Sequence, residues 1–178
     1  MWLFLLIYFS LYGGMNAYVL RKLCVGLGGP VWRWAIVAVL LLCLVLLPML
    51  MHHVEGRLPY PAIRGLAVIG YTWMAVAFWF ACVCAAADLW NAGLWLAARL
   101  RPAAAVWALT PRRIVLSATV LVTLACIAGA FEAGAVRVRE VTIATGKLPP
   151  DTKPLRLLVI ADLHLGRTGR ADILQLLC

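Results

Sequence analysis

The chain has 178 residues, of which 65% are hydrophobic and 13% charged, with a net charge of +9 and a mean hydropathy of +0.97. Soluble domains carry about 45–50% apolar and about 25% charged residues, so the composition argues against a soluble protein and for a membrane protein. A basic balance of this size would point to nucleic acid in a soluble chain, but Arg and Lys here fall mostly between hydrophobic runs and in the tail. Membrane topology explains that placement, and no nucleic-acid partner is implied.

The first hydrophobic run covers about Met1 to Leu20, enough for ~30 Å of helix, the thickness of a bilayer core. It lacks the basic flank and small-x-small site of a cleaved signal peptide, and so reads as a retained span. Arg21 and Lys22 follow, with Cys24 in a short loop. A second span runs from about Val31 to Met51, with Pro30 at its start and Pro48 near its end. His52 and His53 follow it and read as interfacial polar residues rather than ligands. The third span covers about Ile63 to Ala87 and closes at Asp88.

Extending that helix to Leu100 would give ~55 Å, well beyond a bilayer. Leu89, Trp90, Leu94, Leu96 and Leu100, with Arg99 and Arg101, instead fit a segment at the membrane interface, broken by Pro102. The fourth span begins at Thr110-Pro111, a capping residue followed by a proline suited to a first helical turn, and continues to about Gly134.

Inside the spans the polar inventory is thin. Asp88 and Glu132 lie near span ends, Trp73 and Trp79 read as packing residues, and Gly65 with Gly70, or Gly129 with Ala133, could allow close helix contact. The six cysteines form no framework, and Cys82 and Cys84 would diverge on a helix, so small apolar packing is expected of them. The odd loops carry seven basic residues (Arg21, Lys22, Arg33, Arg99, Arg101, Arg112, Arg113) against Arg57 and Arg64 in the even one. The positive-inside rule then places the odd loops in the cytoplasm. The N-terminus and everything after the fourth span would face outward, to the periplasm of a bacterial-type inner membrane. Arg137, Arg139 and Lys147, close to the fourth span, act against this orientation.

After Gly134 the composition changes. Val136 to Ile143 alternates apolar and polar side chains, the period of a half-buried strand. Gly146 to Pro154 reads as an exposed loop, Leu155 to Ile160 as a short buried strand, and Ala171 to Leu177 as the start of a helix. The expected organisation is a transmembrane domain over 1–134, a first strand and linker over 135–154, and the beginning of an α/β domain over 155–178.

Asp162 and His164 stand two apart at the exit of the buried strand. In extended backbone such residues point the same way, so carboxylate and imidazole can converge on one ion, while Gly166 permits a sharp turn beside it. Mixed oxygen and nitrogen ligation suits Mn²⁺, Fe or Zn²⁺ better than Ca²⁺ or Mg²⁺. A polar turn, with Asp162 capping the next element and His164 exposed, is the plainer reading of the same residues.

Residues 136–166 resemble the entry into the catalytic domain of membrane-anchored, calcineurin-like metallophosphoesterases. The matching pieces are the alternating strand Val136–Ile143, Leu148-Pro149, and Leu155–Ile160 followed by Asp162-Leu163-His164-Leu165-Gly166. Ala161 stands where the family often has Ser. The resemblance implies a dinuclear centre that hydrolyses a phosphate ester, with Asp162 and His164 on the first of two divalent ions. It also implies a Gly-Asp pair, an Asn-His pair, a lone histidine and a Gly-His-x-His, none of which occurs in the tail; they are expected beyond residue 178. The chain as it stands is therefore expected to be an inactive N-terminal part of such an enzyme. The competing class is a non-enzymatic membrane protein, a transport or assembly component with a short external tail.

Overall fold

The computed structural model describes residues 2–54, 57–135, 140–143 and 157. Helix accounts for 87% of them, and among the described residues there is no strand. The expected strands and the start of an α/β domain lie outside the described residues, apart from 140–143 and 157, which belong to no regular element.

The first membrane helix is built from α1 (Trp2–Tyr8), a π-helical turn (Phe9–Gly13) and α2 (Gly14–Leu27). It is followed by α3 (Val31–Val54), α4 (Tyr60–Ala98), a 3₁₀ helix (Pro102–Trp107) and α5 (Pro111–Gly134). Four of these helical units are long and apolar enough to cross a membrane, at Trp2–Leu27, Val31–Met51, Tyr60–Ala98 and Pro111–Ala133. Leucines such as Leu3, Leu40 and Leu124 face outward, as they do on helices whose surroundings are as apolar as their core. The four helices are those of a membrane protein in length and apolarity.

Stereochemically defined turns lead into α3 and α5. Gly28 closes α2 with its N–H donating to the Cys24 carbonyl at 3.0 Å. Gly28 and Gly29 take φ of 63° and 116°, values that side chains rarely tolerate, and Pro30 then leads into α3. Thr110 caps α5, its hydroxyl accepting from the Arg113 N–H at 3.4 Å, with Pro111 at the first helical position as its ring geometry favours.

The sequence expectation for the third span is exceeded. No proline interrupts the run after Asp88 until Pro102, and Leu89 to Ala98 is rich in Leu and Ala, so α4 continues without a break through Asp88 to Ala98. At 39 residues it is about 58 Å long, against a core of about 30 Å. The segment expected at the interface is thus the last turns of α4 and the 3₁₀ helix folded back along it. Cys24, expected in a loop, lies in α2.

Val19 of α2, Phe80 and Cys84 of α4, and Ile114, Val115, Ala118 and Val122 of α5 form the buried core. Small side chains let these backbones approach, the usual device where lipid leaves no hydrophobic drive between helices. Of the glycines expected at contacts, Gly70 packs against Leu47 and Pro48 of α3, whereas Gly65 and Gly129 have no neighbour near them. The tightest position is Gly26, where a Cβ would lie 2.5 Å from Val115 Cγ2 and 2.9 Å from the Pro111 carbonyl oxygen. Gly26→Ala should therefore lower thermal stability in detergent by about 1–3 kcal/mol, the range of an overpacked core. Gly129→Ala should leave it unchanged or raise it by about 0.5–1 kcal/mol through helix propensity. Equal melting temperatures for the two variants would remove the α2–α5 contact from this description.

Candidate functional site

Asp162 and His164, the metal ligands read from the sequence, lie outside the described residues. Among the described residues no group of three or more His, Cys, Asp or Glu is placed to hold a metal ion. Cys82 and Cys84 diverge as their spacing requires, the first exposed and the second buried in the core. His53 turns its Nδ1 toward the Met49 carbonyl of its own helix at 3.1 Å.

The chemistry that the described residues do assemble sits at one end of the bundle. Tyr18 and Lys22 are one helical turn apart on α2 and so share a face. Both reach Asp88 of α4. Lys22 Nζ forms an ion pair with Asp88 Oδ1, and the Tyr18 hydroxyl donates to Asp88 Oδ2 at 2.7 Å. The ammonium also lies 5.4 Å from the Tyr18 ring centroid, within cation–π range. Both carboxylate oxygens are therefore engaged. The Lys22 side chain is 16% exposed and that of Asp88 44%, so the pair is shielded without being dry. Hydrogen bonds to a charged group contribute about 1.5–3 kcal/mol, and partial exposure places this pair toward the lower end.

Asn91, three residues after Asp88, extends the same face of α4. Its amide clasps one backbone residue twice: Nδ2 donates to the Leu109 carbonyl at 2.9 Å, and Oδ1 accepts from the Leu109 N–H at 2.8 Å. The segment before α5 has no helical partner for those groups, and the clasp satisfies both. The Trp90 indole N–H reaches the Trp107 carbonyl at 3.5 Å, and the Arg99 guanidinium stacks 4.4 Å from the Trp95 ring centroid. Between α2, α4 and the start of α5 remains a cleft of about 240 Å³, with Arg21, Lys22, Asp88, Asn91, Leu109 and Pro111 on its walls.

A second polar link lies deeper. Asn16 is buried in the first membrane helix; its Nδ2 donates to the Tyr12 carbonyl at 2.8 Å and its Oδ1 accepts from the Trp73 indole at 3.0 Å. Trp73 is thus a hydrogen-bonding residue as well as a packing one. The Tyr8 hydroxyl adds a tie to the Val45 carbonyl of α3 at 2.8 Å.

These groups order, pair and neutralise one another across the helices. Sequence reading missed the Lys22–Asp88 pair, the Asn91 clasp and the Asn16–Trp73 bond. The available signal was the isolation of each group in an apolar run, since a polar side chain facing lipid requires a partner. Comparison with known proteins finds no matching family model, no matching curated protein and no matching solved structure.

Proposed function

We propose that this chain is the membrane domain and opening segment of a membrane-anchored metallophosphoesterase, a hydrolase of phosphate esters. The observation that carries this reading is the apolar run Leu155–Ile160 ending in Asp162-x-His164-x-Gly166. Asp162 and His164 would hold the first of two divalent ions, Mn²⁺, Fe or Zn²⁺, with one carboxylate and one imidazole donor. Those two donors fill only part of one ion's shell, and the other ligands that the resemblance implies are not among the 178 residues. When bound, a pair of such ions lowers the pKa of a coordinated water and stabilises the charge that develops on the phosphoryl oxygens. Asp162 contributes a negative charge that offsets part of the charge on the metal, and neutral His164 a nitrogen donor whose second ring N–H can be fixed by a neighbouring acceptor.

The arrangement of charge supports a cytoplasmic position for the end of the bundle that carries Arg21, Lys22, Arg33, Arg99, Arg101, Arg112 and Arg113. Residues after Gly134 would then face outward, and a phosphate ester in the periplasm or at the outer membrane surface is the substrate class. A membrane component without catalysis is the second reading, favoured by the Lys22–Asp88 pair, because ionisable groups within spans often line transport paths.

The protein expressed from its complete reading frame and purified in detergent tests the first reading. Asp162→Ala should lower bound metal and hydrolysis of bis(p-nitrophenyl) phosphate together. Outer-shell changes alone cost about 10–100-fold, so loss of a direct ligand should cost at least about 100-fold. Unchanged metal content and turnover would sink the phosphoesterase reading and leave the second. For orientation, alkaline phosphatase fused after Gly146 should be active outside the cytoplasm. A well-expressed but inactive fusion would place the tail inside.

A further inference from the structure

We propose that the cleft between α2, α4 and α5 binds the phosphate headgroup of an anionic phospholipid. Its charge is the first reason. Asp88 is the single acidic residue between Arg57 and Phe131, and both of its oxygens are held by Lys22 and Tyr18. Arg21, exposed on the same wall, forms no salt bridge among the described residues. Lys22 and Asp88 cancel, so Arg21 sets the sign of the cleft.

The start of α5 adds to that sign. Pro111 lies in the cleft wall, and the next two residues are Arg112 and Arg113, with no acidic residue in the first turn. A helix N-terminus carries roughly half a positive charge, so two cations there are unfavourable for the helix by itself. An anion in the cleft, beside Arg21 and the Pro111 end of α5, would offset the two unfavourable placements. Basic pockets between membrane helices are the sites that capture lipid headgroups, each basic side chain near the surface adding about 1 kcal/mol.

Shape and surroundings favour a lipid over a free phosphate. At about 240 Å³ the cleft is smaller than the ~300–1,000 Å³ of a pocket that encloses a whole ligand. It has room for a headgroup whose chains stay outside. Val25, Leu109 and Ile114 complete its lining, so part of the wall is apolar. Trp90 of α4 and Trp107 of the 3₁₀ helix stand exposed nearby, the side-chain type that settles at headgroup depth.

The test is binding by the full chain in detergent micelles, read by native mass spectrometry and by melting temperature. The probes are dioleoyl phosphatidylglycerol, dioleoyl phosphatidylcholine and soluble glycerol 1-phosphate. Phosphatidylglycerol should bind in preference to phosphatidylcholine and raise the melting temperature, and soluble glycerol 1-phosphate should do neither. Arg21→Gln should weaken the preference about five-fold, the effect of one basic side chain near an anionic surface. Because Arg21 is exposed and forms no salt bridge with Asp88 among the described residues, the variant leaves the Lys22–Asp88 ion pair in place. Arg57→Gln, at the opposite end, should leave the preference unchanged. Equal binding of the two lipids, an unaltered preference in Arg21→Gln, or an equal loss in Arg57→Gln would each overturn the site. A stabilisation reproduced by glycerol 1-phosphate would overturn the lipid in favour of a free anion.

Discussion

A carboxylate and an ammonium within apolar helices have to meet, and Lys22 meeting Asp88 sets how α2 and α4 lie against each other. Several neighbouring contacts fall one turn away from these two residues. Four residues after Lys22, Gly26 admits Val115 and Pro111 of α5. Four residues before Asp88, Cys84 is buried with Val19 and Val115, and three residues after it Asn91 takes hold of Leu109. Tyr18, one turn before Lys22, closes the second carboxylate oxygen. A slip of one residue in either helix would turn one charge toward lipid and move each of these contacts off its face. Breaking a shielded pair by removing one partner costs more than replacing both, because the charge that remains is unpaired.

The rest of the interior relies on close approach. Ala67, Ala77, Cys84 and Ala118 are fully buried where helices cross, and Gly70 takes Leu47 and the Pro48 ring. Pro48 gives up a backbone donor in α3, which membrane helices tolerate when neighbours cover the break. Lipid is as apolar as leucine, so burial alone cannot choose one arrangement of four apolar helices over another. Polar ties at three depths supply the choice: Tyr8 to Val45, Asn16 to Trp73, and Lys22 with Tyr18 to Asp88.

Hydropathy made the four spans readable, and local stereochemistry made the Thr110-Pro111 start and the Pro102 stop readable, because both depend on neighbours in sequence. The length of α4 was not. A bilayer limits how much helix is covered, not how far it continues, and between Leu89 and Ala98 only Gly93 weighs strongly against helix. The polar ties were hidden for a different reason. Asn16 and Trp73 are 57 residues apart and Lys22 and Asp88 are 66, so spacing cannot pair them. Depth alone assigns Trp73 to packing, although its indole N–H requires an acceptor when buried. Asp162 and His164 are read as ligands from local patterns, strand exit and ligand spacing, and both lie outside the described residues.

The Lys22–Asp88 contact is most directly examined by a double-mutant cycle on thermal unfolding in detergent, with Lys22→Met, Asp88→Leu and both together. If the pair joins α2 to α4, each single change lowers stability, and the double variant loses no more than the worse single. The coupling would then be on the order of 1–3 kcal/mol. Losses that add within about 0.3–0.5 kcal/mol would show that the two side chains do not interact, and would contradict the arrangement of helices built on them.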